Sequence, residues 1–176
     1  MKLNFQRQAG ATLIEIIMVV ALISIITIGA LVYYNTAQQG SKVSEAVAGV
    51  TALSAVIRNQ FSTQGSYTGI TSEVVAKFGG VPESLTVKTG TNPTLRHPWN
   101  AATSAVAIAT ETITAAGDGF KITLAEVPAN VCADLVNKTY RHFVRVDVGG
   151  TEITGVASSA TACGTSGNVS ISFVQR

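Results

Sequence analysis

An uninterrupted apolar run near the N-terminus constrains this chain more than any other feature. Residues 11–34 contain one charged side chain, Glu15. The mild polar interruptions are Thr12, Ser24 and Thr27. As a helix rising about 1.5 Å per residue, the run is about 36 Å long, which exceeds a bilayer hydrocarbon core of roughly 30 Å. The run is therefore predicted to be a helix that can span a membrane.

The charges flanking this run predict its orientation. Lys2 and Arg7 precede it, and no charge follows it until Lys42. The positive-inside rule then places the N-terminus in the cytoplasm and exports everything after Tyr34. Lys2 and Arg7 also account for the whole formal net charge of +2. The rest of the chain is balanced, so no nucleic-acid partner is expected on bulk charge.

The two cysteines of the chain, Cys132 and Cys163, both lie in the part expected to be exported. An oxidising compartment favours a disulfide bond between them. In the loop-entropy model, closing the intervening segment stabilises the fold by about 3–4 kcal/mol.

Two ordinary interpretations of the apolar run are a cleaved secretory signal and a plain signal anchor. A secretory signal has a shorter apolar core and a small-x-small cleavage site, for which residues 35–37 are a poor substitute. A signal anchor fits the length, but Glu15 counts against it. An ionised carboxylate in a lipid-facing helix costs about 2.5 kcal/mol or more, whereas a paired one inside a helix bundle avoids much of that cost.

Residues 8–15, Gln-Ala-Gly-Ala-Thr-Leu-Ile-Glu, resemble the processing site of type IV prepilins and pseudopilins. The resemblance implies that residues 1–10 are a leader peptide. It implies that a prepilin peptidase cuts between Gly10 and Ala11 and methylates the new amine of Ala11. It also implies that Glu15, the fifth mature residue, pairs with the N-terminus of a neighbouring subunit during assembly.

Beyond Tyr34 the sequence changes from uniformly apolar to amphipathic. Apolar residues recur three or four positions apart, at Val43, Ala46, Val47, Val50, Leu53, Val56, Ile57 and Phe61. This period predicts that the helix continues to about residue 62. We therefore divide it into a membrane and filament-core half, 11–34, and an amphipathic half, 35–64.

The remaining residues, 65–176, predict a globular head made of short elements and an antiparallel sheet. In chain order we expect a short helix begun by Thr71 or Ser72, strands at 104–114 and 120–127, a helix begun by Pro128, and strands at 139–148 and 168–174. Alternation in the strand at 139–148 places His142 and Val144 on one face and Phe143 on the other. The fold class is α+β, a long helix with a protruding apolar half and an amphipathic half packed on an antiparallel β-sheet.

Several later strings, in order, resemble landmarks of the type IVb branch, which includes the bundle-forming, toxin-coregulated and conjugative thin-pilus pilins. They are Gly-Ser-Tyr-Thr-Gly at 65–69, His-Pro-Trp at 97–99, Gly-Phe-Lys-Ile-Thr-Leu at 119–124 and Cys-Ala-Asp-Leu at 132–135. The resemblance extends over nearly the whole chain and implies the type IV pilin fold. It also implies that the disulfide-bounded region 132–163 forms a surface lobe.

The resemblance implies a structural, non-enzymatic role as a subunit of a type IVb pilus in a Gram-negative bacterium. We expect this subunit to be the major pilin. Such a pilus serves adhesion, aggregation or conjugative mating contact. The implied partners are further copies of the chain in a helical homopolymer, the prepilin peptidase, an inner-membrane assembly platform with its ATPase, and an outer-membrane secretin. Before assembly the chain would lie in the inner membrane with a periplasmic head, and afterwards in the extracellular filament. No cofactor or metal is implied.

Two alternatives stay open at this stage. A pseudopilin or minor pilin of a type II secretion or DNA-uptake system shares the processing site, although the cysteine pair counts against a pseudopilin. A membrane-anchored periplasmic enzyme or binding module is not cleaved.

His97 and His142 lack the spacing of a zinc site or catalytic triad and are interpreted as structural. The basic residues Lys138, Arg141, His142 and Arg145 are interpreted as an ordinary solvent face, and Trp99 as packing.

Overall fold

The fold is taken from a computed structural model, which describes residues 12–89, 92–102 and 105–176. The chain divides into two compact units, Met1–Gln39 and Gly40–Arg176, and helix α1, Leu13–Phe61, contributes residues to both. The expected cleavage site, Gly10 and Ala11, lies outside the described residues.

In the first unit, the described residues up to Gln38 are all exposed. The polar interruptions of the apolar run are satisfied within the helix itself, because Ser24 Oγ donates to the Val20 carbonyl at 2.7 Å and Thr27 Oγ1 donates to the Ile23 carbonyl at 2.8 Å. Bonds of this kind remove the need for water at a hydroxyl group. The segment therefore presents an almost entirely apolar surface around its circumference.

In the second unit, α1 buries one face against the head. That face consists of Val43, Ala46, Gly49, Val50, Leu53, Ile57 and Phe61, which confirms the predicted period. At Gly49 a Cβ would lie 2.8 Å from a methyl carbon of buried Leu85, so the glycine permits a close approach. The helix ends where the Gly65 amide donates to the Phe61 carbonyl, with Gly65 at a φ of +68°.

The head contains a five-stranded antiparallel sheet. Its strands are β3, Val106–Glu111; β4, Gly119–Pro128; β5, Arg145–Val148; β6, Thr151–Glu152; and β7, Asn168–Gln175. The order across the sheet is β3-β4-β7-β5-β6. Side chains of β4 and β7, including Phe120, Ile122, Ile171 and Phe173, are buried in one core with the α1 face. The predicted α+β class is confirmed.

The predicted hairpin of β3 and β4 is confirmed, with Ile108 opposite Ile122. Its loop is held by Asp118, whose carboxylate accepts hydrogen bonds from the backbone amides of Ile113 and Thr114 at 2.8 and 3.0 Å. Gly117 precedes it with a φ of +77°. A backbone conformation of this kind favours glycine because there is no Cβ to clash.

Between α1 and this sheet the chain forms smaller elements. Helix α2, Ser72–Ala76, has Thr71 as its N-cap, as predicted, with Thr71 Oγ1 accepting from the Val74 amide. A 3₁₀ turn at Glu83–Leu85 leads into β1, Thr86–Thr89, which pairs with β2, Asn92–Leu95, in a separate two-stranded sheet. No sequence pattern predicted this pair of strands.

The strand predicted at 139–148 is wrong in its first half. Helix α3 spans Ala129–Thr139 with Pro128 as its N-cap, and a turn follows before β5 begins at Arg145. Phe143 is therefore buried, with its ring 5.1 Å from that of Phe173, whereas His142 and Val144 are exposed. Helix α3 includes only Thr139 of the predicted strand, and residues 140–144 form a turn in which the His142 amide donates to the Thr139 carbonyl at 2.8 Å.

Candidate functional site

The candidate assembly segment is the apolar part of α1, from Leu13 to Tyr34. Every large apolar side chain in it is at least 48% exposed, and the mean hydropathy of its most apolar window is 2.8. The helix is long and apolar enough to cross a membrane. Since full burial of each such side chain is worth about 1.5–3 kcal/mol, this segment requires apolar surroundings outside its own fold.

Glu15 lies in the first turn of α1, where its amide donates to the Thr12 carbonyl at 3.0 Å. Its neighbours Ile14 and Ile16 are 68% and 54% exposed. Within the part of the chain that the structure describes, the Glu15 carboxylate has no hydrogen-bond or ion-pair partner. A carboxylate in apolar surroundings needs a positive partner, and the described residues supply none.

A second candidate region is the lobe between the cysteines. Cys132 in α3 and Cys163, the last residue of α4 (Val156–Cys163), form a disulfide bond with their Cα atoms 5.7 Å apart, which confirms the predicted disulfide. Both are buried. A second connection joins the same two helices, because buried Ser159 donates from its hydroxyl to Asn137 Oδ1 at 2.9 Å. The two connections therefore hold α4 against α3, and the region 132–163 that they close also contributes strands β5 and β6 to the sheet.

Two of the basic residues noted in the sequence, Lys138 and Arg145, form ion pairs, whereas Arg141 donates from Nε to Tyr140 Oη at 3.0 Å. Arg145 contacts Glu111 and Asp147, each at 3.0 Å, and Glu111 also contacts Lys121 at 3.1 Å. Lys138 pairs with Asp134 at 2.9 Å. Burial would raise the pKa of Glu111, but hydrogen bonds from Lys121 and Arg145 outweigh it and lower that pKa. The pairs of Glu111, Lys121, Arg145 and Asp147 therefore link side chains of β3, β4 and β5, whereas Asp134 and Lys138 pair within α3.

His97 is 2% exposed and its ring connects two elements. Nε2 lies 2.7 Å from the Ala125 carbonyl, to which it donates, and Nδ1 accepts from the Trp99 amide at 3.4 Å. Burial lowers the pKa of His97, and the hydrogen bond to Ala125 and the charge of Glu126 only partly offset it. These contacts support the structural interpretation of His97, and half-buried Trp99 packs against the core beside it.

Among the described residues, no group of three or more His, Cys, Asp or Glu side chains is placed to hold a metal ion. The head does contain surface clefts. One of about 270 Å³ includes Lys42, Arg96 and Trp99. Sequence reasoning missed this juxtaposition because its members are far apart in the chain and carry no local pattern.

A family model described as PilS N terminal matches residues 40–176, which cover the entire head. The chain belongs to the PilS family. This match depends on the head, whereas the prepilin-like processing string lies outside the matched range. The two observations are therefore independent of each other.

Two curated relatives share the description "Major structural subunit of bundle-forming pilus", one from Escherichia coli O127:H6 (strain E2348/69 / EPEC) and one from Escherichia coli O111:H-. Each is 29% identical over 97 residues, which cover 55% of this chain and 49% of the relative. The chain thus spans about half the length of the curated relatives it matches.

Solved structures with a similar fold include a type IVb pilin from Salmonella typhi, with a TM-score of 0.59, 16% identity, and coverage of 73% of this chain and 95% of that one. Another is TcpA, a type IV pilin from the Vibrio cholerae El Tor biotype, with a TM-score of 0.53, 12% identity, and coverage of 77% and 99%. The chain has the type IV pilin fold. The fold expected from the resemblance to the type IVb branch is confirmed.

Proposed function

We propose that this chain is the structural subunit, and the major pilin, of a type IVb pilus that serves adhesion, aggregation or conjugative mating contact. The observation that carries the proposal is the exposed apolar segment from Leu13 to Tyr34, whose single charge is Glu15. Many copies of such a helix, packed together, bury one another and provide the surroundings that a single copy lacks. The family match and the pilin fold of the head support the same role.

The first step of the proposed pathway is processing. A prepilin peptidase removes residues 1–10 by cutting between Gly10 and Ala11, and the amine of Ala11 is then methylated. Glycine suits this position because it lets the chain stay extended and accessible just before α1 begins at Leu13. Processing leaves a positive amine four residues before Glu15.

The second step is recognition between subunits. The Glu15 carboxylate of one subunit pairs with the N-terminal amine of a neighbour, so two charges enter the apolar filament core together. An unpaired carboxylate there carries a desolvation penalty of several kcal/mol, whereas a close pair recovers much of it. This requirement favours one register of packing between neighbouring α1 segments.

Before assembly the same apolar segment holds the chain in the inner membrane, with the head in the periplasm, where the bond between Cys132 and Cys163 can form. An inner-membrane platform and its ATPase then supply the work of extraction, and an outer-membrane secretin provides the exit. The finished filament is extracellular. The subunit itself performs no chemistry in this scheme.

Electron microscopy of sheared surface fibres, combined with N-terminal sequencing of the subunit, tests the proposal. We expect abundant fibres whose main component begins at methylated Ala11. Glu15→Gln should reduce fibre yield at least tenfold while the chain is still processed. The matched control is Glu73→Gln, which removes an exposed carboxylate from the head and should leave the yield unchanged.

Other outcomes separate the alternatives. A native subunit whose mass begins at Met1 would contradict processing and support a membrane-anchored binding module or enzyme. A processed chain present only in trace amounts in the fibres would identify a minor pilin, and its absence from fibres a pseudopilin. Unchanged fibre yield for Glu15→Gln would refute the pairing role while leaving the processing proposal intact.

A further inference from the structure

A cleft of about 270 Å³ lies in the second unit, Gly40–Arg176. It is lined by Lys42, Glu45, Ser84, Arg96, His97, Pro98, Trp99, Asn100 and Ala101. Lys42 and Glu45 belong to α1, whereas most of the other residues form the loop after β2. The cleft therefore brings two cations, one carboxylate and an aromatic ring together from distant parts of the chain.

The loop that forms one wall of the cleft is held by hydrogen bonds within its turn and to strand β4. The backbones of His97 and Asn100 exchange two hydrogen bonds of 3.1 Å, which close the turn that contains Trp99. The buried His97 ring donates to the Ala125 carbonyl at 2.7 Å. Asn100 Nδ2 donates to Glu126 Oε2 at 3.0 Å. The turn is thus anchored to strand β4 at both of its ends.

The anchor on β4 holds the backbone in an unfavourable conformation. Among the described residues, Glu126 is the only one other than glycine with a positive φ, at 61°. It lies where the pairing of β4 with β7 shifts register between Leu124 and Val127. Such a conformation costs a non-glycine residue free energy, and strain of this kind is concentrated at functional sites. Here it positions the carboxylate that holds Asn100.

The two cations that line the cleft have hydrogen-bond donors free to bind a ligand. Arg96 is exposed and donates from Nε to the Ser84 carbonyl at 3.1 Å, which fixes its guanidinium. Its two terminal nitrogens make no hydrogen bond to the described residues, and Lys42 Nζ has no ion-pair partner among them. An oriented guanidinium beside an ammonium is suited to a carboxylate, which Arg binds with two parallel hydrogen bonds.

We propose that this cleft binds a single acidic sugar ring. The carboxylate of the sugar contacts Arg96 and Lys42, one apolar face of the ring packs on Trp99, and Glu45 accepts hydrogen bonds from the sugar hydroxyls. The mixture of cations, a carboxylate and an aromatic surface matches a polyhydroxylated anion better than a simple anion. Pockets that bind drug-sized ligands have volumes of roughly 300–1,000 Å³, so a cleft of about 270 Å³ suits a ligand of one ring.

The chain offers a direct measurement because Trp99 is its only tryptophan. Intrinsic fluorescence of the detergent-solubilised full chain therefore reports on the cleft itself. We expect D-glucuronic acid or N-acetylneuraminic acid to change this fluorescence with an affinity at least tenfold higher than that of D-glucose or sodium acetate. Comparison of the two acids distinguishes a uronic from a sialic acid source.

Substitutions complete the test. Arg96→Gln and Lys42→Gln should each weaken binding of the preferred acid about tenfold. The matched controls Arg58→Gln and Lys77→Gln change exposed cations outside the cleft and should retain wild-type affinity. Glucose or acetate binding as tightly as the acidic sugars, or wild-type affinity in both cleft variants, would overturn the proposal. Because the assay uses unassembled subunit, its result is independent of filament formation.

Discussion

The backbone strain at Glu126 can be tested by substituting that one residue. Its φ of 61° is adopted at little cost by glycine but is unfavourable for alanine and glutamate. Glu126→Gly and Glu126→Ala both remove the carboxylate that accepts from Asn100. The difference between the two variants therefore isolates the backbone strain from the lost hydrogen bond.

We predict that Glu126→Gly is more stable to unfolding than Glu126→Ala by about 1 kcal/mol, since strain at such positions is worth about 1–3 kcal/mol. Urea denaturation followed by circular dichroism measures the difference. At most positions of a folded chain alanine is more stabilising than glycine. A more stable glycine variant at position 126 would therefore indicate backbone strain. Equal stability, or a more stable alanine variant, would contradict the strain assigned to this position.

His97 predicts a pH dependence of head stability. Burial lowers the pKa of His97 in the folded state, so the unfolded chain binds a proton first as the pH falls. Stability is therefore complete above the ordinary histidine pKa of about 6.5 and is lost as the pH falls below it. His97→Gln, which keeps an Nε2 donor for Ala125 without titrating, should flatten the dependence of melting temperature between pH 7.5 and pH 5.

The control for this measurement is the second histidine of the chain. His142 is exposed, so His142→Gln should keep the wild-type dependence of melting temperature on pH. If the slope is the same in wild type and His97→Gln, the buried ring is not its source.

Residues differ in how far their roles could be predicted from the sequence. The processing string and Glu15 are local patterns, and each is recognisable without the fold. The contacts of His97 could not be predicted, because its partner Ala125 lies 28 positions away and becomes available only where β4 changes register. Similarly, no sequence signal connects Ser159 with Asn137.

At the scale of elements, the reliable predictions came from long periodic segments. Helix α1 and the hairpin of β3 and β4 were predicted because each repeats its pattern over many residues or has a strong turn between its strands. The first half of the strand predicted at 139–148 was wrong because Thr139 ends α3, with its buried hydroxyl donating to the Leu135 carbonyl at 2.8 Å, and a turn at 140–144 follows. Helix α4 and the pair β1 and β2 are short, and tertiary packing determines them more than propensity does.

The disulfide gives an element-scale prediction for α3 and α4. Replacing both Cys132 and Cys163 with serine should lower the free energy of unfolding by about 3 kcal/mol, because the open lobe gains entropy when unfolded. Thermal denaturation of wild type and variant measures the loss. The second connection, from Ser159 to Asn137, lies within the same lobe and is too weak to replace the covalent bond.

Reducing agent supplies the control for this prediction. Dithiothreitol should lower the melting temperature of wild type towards that of the double variant and leave the double variant unchanged. Equal melting temperatures for oxidised wild type and the double variant would show that the lobe is held by packing alone.

At the scale of the whole molecule, the two units of the chain differ in whether their apolar side chains are exposed or buried. The segment from Leu13 to Tyr34 exposes its apolar side chains, and its hydroxyl groups bond to its own backbone. The second unit, Gly40–Arg176, buries its apolar residues in its own core, including the buried face of α1. The proposed transfer from membrane to filament fits this division, because only the first segment requires apolar surroundings outside its own fold.

This division predicts that residues 40–176 fold without the apolar segment. Exported to the periplasm behind a cleavable signal peptide, this head should be a soluble monomer that unfolds cooperatively and contains the bond between Cys132 and Cys163. The full chain, in contrast, should be extracted from membranes only with detergent, because its exposed apolar helix aggregates in water. Size-exclusion chromatography, free-thiol assay and thermal denaturation of both proteins measure these properties. A head that aggregates or retains free thiols would show that its core depends on residues before Gly40, and that the two units are not independent in folding.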